Sequence, residues 1–170
     1  MLRILSGRFK GKKIFTSKKL PYRPTQTIVR KRIFDRLIPY DFESVLDLFA
    51  GTGIMGFEAA SRGAKFVTLV ENNKRCIEML RYNSRKFNGV YFQYKYIDAI
   101  KYLKQCKTYD LIFADPPYER YDIDMLVKTT LKRLNNKGKF VLECASSHHL
   151  YTNVDHISIN DKQIFIWTKE

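Results

Sequence analysis

A doubly wound α/β sheet is the fold class this sequence predicts, and three observations predict it. Short β-rich runs alternate with stretches of helical period from residue 45 onward, the runs are apolar almost throughout, and a glycine-rich turn joins the first run to a helix. Parallel strands covered by helices on both faces read as near-continuous apolar runs, because neither face meets water. The strand runs are VLDLF (45–49), FVTLV (66–70), VYFQYKYI (90–97), LIFA (111–114) and FVLEC (140–144). Between them Cys76, Leu80 and Phe87 stripe one helix, Ala99, Tyr102, Leu103 and Cys106 another, and Ile123, Leu126, Val127, Leu131 and Leu134 a third. After residue 150 the pattern becomes VDHISI, then NDK, then QIFIW, two alternating strands around a turn, which predicts an antiparallel hairpin at one sheet edge.

The first 44 residues break this rhythm. LRILS and GKKIF flank Gly7 and Gly11 and pair as a small hairpin, while Pro24 and Thr25 open a helix whose Val29, Ile33 and Leu37 line one side until Pro39 stops it. Such a segment is too small for a core of its own. The expected organisation is therefore one domain over 1–170, a basic extension (1–44) packed on an α/β core (45–170). At 170 residues a second large domain is not expected.

Composition narrows the class. Apolar residues make up 45% and charged residues 28%, and no apolar run approaches the roughly 20 residues of a membrane span. Disorder and membrane insertion are not expected, the first residues do not resemble a secretory signal, and the expected location is the cytoplasm. Cys76, Cys106 and Cys144 are too far apart for a metal clip and odd in number, so they read as reduced core thiols. His148, His149 and His156 read as lying away from any carboxylate cluster, and no metal site is expected.

The net charge is +14, and its placement says more than its size. Residues 1–38 hold 12 basic side chains and one acid (Asp35), net +11, which leaves 19 basic against 16 acidic, net +3, for the remainder. A clustered positive region favours a polyanion such as nucleic acid. Arg8, Lys10, Lys12, Lys13, Arg23, Thr25, Arg30 and Lys31 are the candidate contacts.

Two motifs carry chemistry. The first is Asp47-Leu-Phe-Ala-Gly51-Thr-Gly53-Ile-Met-Gly56, a glycine turn between strand and helix, followed 20 residues after Gly51 by Glu71, where a carboxylate can hold a ribose diol. Taken alone, G-x-G-x-x-G serves NAD or FAD as well as S-adenosylmethionine. Asp47 favours the last, because a carboxylate at the strand end repels a pyrophosphate but accepts from an ammonium group. Asp98 closes the third strand and suits either an adenine amine or the cap of the helix beginning near Ala99.

The second motif is Ala114-Asp115-Pro116-Pro117-Tyr118. Each residue before a proline is held out of the helical region, so the turn is stiff. It presents the Asp115 carboxylate and Pro116 carbonyl as two fixed acceptors, suited to both hydrogens of a planar exocyclic amine, with Tyr118 stacking on the base. Such an amine is a poor nucleophile, and acceptors preorganised for its growing positive charge favour methyl transfer.

On these residues the chain resembles the class I, S-adenosylmethionine-dependent amino-methyltransferases. With the leader RILSGRFKGKKI, then Arg23 to Thr25, then VRKRIFDRL (Val29 to Leu37), it resembles the bacterial 16S rRNA (guanine(966)-N(2))-methyltransferase family nearly end to end. The resemblance implies a mostly parallel, seven-stranded Rossmann-like methyltransferase sheet with the C-terminal antiparallel hairpin and short basic N-terminal extension. It implies S-adenosylmethionine held by Asp47, Phe49, Ala50, Gly51, Thr52, Gly53, Glu71, Asn72, Asp98 and Ala99, and catalysis at Asp115, Pro116, Pro117 and Tyr118. The implied partner is 16S rRNA within the 30S subunit or a late assembly intermediate. No long exposed apolar strip asks for a second copy, so a monomer is expected. The same clamp also suits a DNA adenine-N6 or cytosine-N4 methyltransferase or another RNA N-methyltransferase.

Overall fold

The computed structural model describes residues 2–17, 25–117, 120–159 and 161–170. The leader forms a two-stranded antiparallel ladder, β1 (Leu2–Arg3) with β2 (Lys13–Ile14), and is followed by α1 (Thr27–Arg36). The main sheet then builds as β3 (Ser44–Asp47), α2 (Ile54–Ser61), β4 (Phe66–Glu71), α3 (Lys74–Ser84), β5 (Tyr91–Tyr96), α4 (Ala99–Gln105), β6 (Tyr109–Ala114), α5 (Ile123–Leu131) and β7 (Leu134–Ala145). The hairpin β8 (Asp155–Ile159) and β9 (Lys162–Thr168) completes it. Spatial order is β5-β4-β3-β6-β7-β9-β8. β3 to β7 are parallel, and β9 inserts antiparallel beside β7 so that β8 forms the edge.

Both faces of the sheet are covered, as the apolar runs predict. Val45, Val67, Leu69, Leu111 and Phe113 point to one side, where they meet α1, α2, α3 and the leader. Leu46, Val70, Ile112 and Ala114 point to the other, against α4 and α5. The period-2 alternation of a strand therefore feeds two cores. Fully burying a side chain such as Phe57 or Leu46 stabilises by about 1.5–3 kcal/mol before packing terms.

The leader is fastened by hydrogen bonds to the ends of α2 and α3. The Arg8 amide donates to the Ser61 carbonyl at 2.7 Å, the Phe9 amide to Ser61 Oγ at 2.9 Å, and the Phe15 amide to Asn83 Oδ1 at 2.9 Å. Gly7 makes the tight approach to Ser61: its φ is +82°, and a Cβ there would sit 2.0 Å from the Ser61 carbonyl oxygen. Beneath the leader Glu58, fully buried, accepts from the Leu5 amide at 2.7 Å and from Arg30 Nη1 at 3.0 Å, and it pairs with Arg62.

Three expectations are corrected. Phe87 is not on the helix of Cys76 and Leu80, which ends at Ser84; it lies in the turn that follows and stacks on Phe57 in the core. Leu134 is not on the helix of Ile123, Leu126, Val127 and Leu131; that helix ends at Leu131, and Leu134 begins β7 paired with Tyr109, so its apolar spacing reflects burial on a strand. The helix expected from Pro24 and Thr25 begins at Thr27, with Gln26 at its N-cap; Pro24 lies outside the described residues. The three cysteines are buried and free. No helix among the described residues is long and apolar enough to cross a membrane.

Candidate active site

Parallel strands put their carboxyl ends on one rim, and four of those ends carry an acid. Asp47 ends β3, Glu71 ends β4, Asp98 follows β5 and Asp115 follows β6. The chain goes outward from β3 to β4 and β5, then returns to the other side of β3 for β6. The direction of winding thus reverses between β3 and β6, the place where such sheets open a crevice. A cleft of about 900 Å³ opens there. Phe49, Ala50, Gly51 and Thr52 of one turn and Asp115, Pro116 and Pro117 of the other line it together. Asp115 is half-buried, Pro116 buried and Pro117 exposed. Tyr118 lies outside the described residues.

Burial dominates the acids nearest the switch point. The Asp47 carboxyl is pushed up to about 7 by desolvation, against a hydrogen bond that its Oδ2 accepts from the Gly56 amide at 3.1 Å; the charges of Asp115 and Glu71 add to the rise. Desolvation raises Asp115 to about 6, and the positive charge of Lys162 opposes it. Glu71 accepts from the Gly51 amide at 2.9 Å and the Asn73 amide at 2.9 Å, which ties the glycine turn to the end of β4. The cap of α3 is Asn73. Asp98 caps α4 by accepting from the Lys101 amide at 3.0 Å and accepts from the Tyr121 hydroxyl at 2.7 Å. Desolvation raises its pKa, but these two bonds, with the Ile100 amide and the positive charge of Lys101, outweigh it and hold the carboxyl below the usual range.

The donor set identifies what kind of ligand fits. Six acids (Asp47, Glu71, Asp98, Asp115, Glu143, Asp161) face two cations (Arg120, Lys162) among the described residues of the cleft. A pyrophosphate would meet net repulsion here, whereas a ligand rich in amine and hydroxyl donors meets acceptors at each end. S-adenosylmethionine has that pattern, so the residues present fit it. Gly53 and Gly56 are glycines for packing: a Cβ on Gly53 would meet Leu80 at 2.4 Å, and one on Gly56 would meet Leu69 at 2.6 Å.

The structure redistributes the remaining expected residues. Asn72 lines the cleft, but Gly53 and Ala99 are buried behind its wall, Gly53 as the N-cap of α2 and Ala99 in the core under α4. Arg30 is not a surface cation. It is 1% exposed and its guanidinium is held by Glu58, the Arg3 carbonyl and Thr27, so it does not reach a phosphate. Thr25 is also buried and lines the cleft. Arg8, Lys10, Lys13 and Lys31 are exposed and Lys12 half-exposed. The hairpin tip bearing Arg8 sits at Ser61, the end of α2 away from the glycine turn, about 12 Å along that helix. Arg23 lies outside the described residues. His148 and His149 are not remote from acid: the fold brings Asp124 to 3.4 Å from His149 Nε2, and His148 Nε2 lies 3.0 Å from the Tyr151 hydroxyl. Arg120, Tyr121, Glu143 and Lys162 line the cleft without having been singled out in the sequence. Of these, Arg120 and Tyr121 follow the proline turn closely enough to have been found by proximity.

Residues 2–166 match the protein family described as "Conserved hypothetical protein 95". A protein named "Ribosomal RNA small subunit methyltransferase D" from Buchnera aphidicola subsp. Acyrthosiphon pisum is 40% identical over 138 residues, 79% of this chain and 70% of that one. Among solved structures, a hypothetical protein of Thermus thermophilus superimposes with a TM-score of 0.83 at 26% identity, covering 98% of each chain. A precorrin-6y C5,15-methyltransferase from Geobacter metallireducens shares the fold with a TM-score of 0.68 at 18% identity, over 92% of this chain and 95% of that one.

Proposed function

Because this chain belongs to the conserved hypothetical protein 95 family, we propose that it transfers a methyl group from S-adenosylmethionine to the exocyclic N2 amine of a guanine, of the 966 type, in 16S rRNA. The substrate is the RNA within the 30S subunit or a late assembly intermediate, and the protein acts as a monomer. The name of the Buchnera relative supports the substrate class. The observation that carries the chemistry is that the glycine turn after β3 and the Asp115-Pro116 turn after β6 open onto one cleft.

When bound, S-adenosylmethionine supplies an electrophilic methyl on a sulfonium. Asp47 receives its ammonium, and the Glu71 carboxylate, already oriented by the Gly51 and Asn73 amides, receives the ribose hydroxyls. Asp98 and Tyr121 border the adenine end. Asp115 and the Pro116 carbonyl accept the two amine N–H groups, which holds the nitrogen lone pair toward the methyl and stabilises the positive charge that grows there. The methyl transfer that S-adenosylmethionine would supply, the cofactor leaving as its thioether, releases one proton from the amine. Asp115, with a pKa of about 6, is ionised near neutral pH and able to accept it. The base must leave its stack to enter, so a single-stranded loop is the target, steadied by exposed cations. The experiment is transfer of labelled methyl onto small subunits from a strain lacking its own counterpart enzyme, followed by mass spectrometry of the nucleosides. N2-methylguanosine is expected; N6-methyladenosine, N4-methylcytidine or no transfer would contradict the proposal.

A further inference from the structure

One wall of the cleft carries an ion pair that the amine clamp does not use. β7 runs parallel to β6, and Leu142 pairs with Ala114, so Glu143 reaches the same rim as Asp115. β9 runs antiparallel to β7 and therefore begins at that rim, with Lys162 opposite Ala145. Glu143 pairs with Ile164, two residues along β9 from Lys162, which puts Glu143 and Lys162 on one face as diagonal neighbours. Their side chains form an ion pair and are 4% and 9% exposed, and both residues line the cleft.

Burial alone is weak evidence that this pair serves stability, since packed apolar side chains often replace a buried ion pair without loss. An ammonium carries three N–H donors, and among the described residues the contact of Lys162 is the Glu143 carboxylate. Buried donors are normally satisfied, so the remaining ones fit an acceptor brought by a ligand. Lys162 also acts electrostatically on Asp115, the carboxylate assigned to the amine. The cleft thus offers an incoming base an acceptor and, beside it, a donor.

We propose that Lys162, held by Glu143, is the specificity-determining residue of this site and donates a hydrogen bond to the carbonyl oxygen of guanine. The inference rests on the guanine N2 reading above. The guanine edge runs amine N–H, ring N–H, carbonyl oxygen: two donors, then one acceptor. Asp115 followed by Lys162 is its complement. Adenine and cytosine place an acceptor nitrogen directly beside the amine, where it faces the carboxylate of Asp115, and adenine has no carbonyl for Lys162.

The test uses RNA in which the mapped guanine is replaced by 2-aminopurine, which keeps the 2-amine and lacks the carbonyl. Single-turnover rates on both RNAs are compared for the wild type, Lys162→Arg, and the double variant Glu143→Met/Lys162→Met, which removes both members of the ion pair together. The wild type should prefer guanine strongly, and this preference should shrink about 10- to 100-fold in the double variant while Lys162→Arg keeps most of it. Some preference remains in the double variant, because 2-aminopurine also lacks the ring N–H that faces Asp115. A double variant that slows both RNAs by the same factor would overturn the assignment. So would a wild type indifferent to the missing carbonyl, which is read without any variant. A wild type that makes no N2-methylguanosine at all would overturn the underlying reading instead.

Discussion

Replacing Asp47 by Asn tests the electrostatics of the cleft in two independent ways. The native carboxyl titrates at about 7, chiefly through burial, against about 3.9 for an unfolded aspartate. The difference, 7 − 3.9, is about 3 pKa units, on the order of 4 kcal/mol at about 1.4 kcal/mol per unit. Between about pH 4 and pH 7 the unfolded chain has released this proton and the native protein still holds it, so stability falls as pH rises through that window. Asp115, raised to about 6, adds a fall in the same direction between about pH 4 and pH 6. Asp47→Asn should therefore flatten most of the pH dependence of the unfolding free energy, measured with denaturant at intervals from about pH 4.5 to pH 7.5. Cofactor binding should show the opposite slope. If the ammonium of S-adenosylmethionine needs the ionised carboxylate, about one-tenth of Asp47 is competent near pH 6, and affinity should drop about tenfold per pH unit below 7. In Asp47→Asn calorimetry should find weak binding that is flat with pH. A wild-type affinity indifferent to pH between about 5.5 and 7.5, or an Asn variant that binds as tightly as the wild type, would show that Asp47 does not hold the ammonium.

Glu58→Ala leaves the Arg30 guanidinium buried and unpaired, and unfolding should be easier by about 3–5 kcal/mol in chemical denaturation, with Glu58→Gln less severe. Neutralising the exposed Arg8, Lys10, Lys31 and Arg32 should lower the salt dependence of RNA binding, by up to about 3 in the slope of log K against log salt, while calorimetry finds S-adenosylmethionine affinity unchanged. Arg30→Gln should instead register as lost stability in thermal melts, because its charge is spent inside the protein.

The fold was legible because both faces of the central sheet are covered: β3, β4 and β6 are near-continuous apolar runs and stand out without any tertiary information, while β5 at the edge (YFQYKY) interleaves polar residues. Leu134 misled because a buried strand residue and a helix stripe look alike at that spacing, and only its pairing with Tyr109 separates them. The two turns of the cleft were legible as well, since glycines after a strand and paired prolines after another are local constraints. What local sequence cannot show is how long-range packing spends a charge. Arg30 reads as one of a basic cluster until Glu58, 28 residues away, is found beside it. Lys162 reads as a hairpin residue, and its place in the cleft follows from β9 running antiparallel to β7. Asp98 shows both sides of the problem: its cap role is local and follows from its place just before α4, while its bond from Tyr121 comes from beyond the proline turn.

In the proposed reaction Asp115 meets the substrate amine across the cleft from the bound cofactor. The measurement that tests it most directly is the single-turnover rate of Asp115→Ala on small-subunit RNA with saturating S-adenosylmethionine, near pH 8, where Asp47 is ionised. Cofactor affinity should stay within a few-fold of wild type while the methylation rate falls by about 10²–10³. Turnover close to wild type, with the same N2-methylguanosine product, would contradict it.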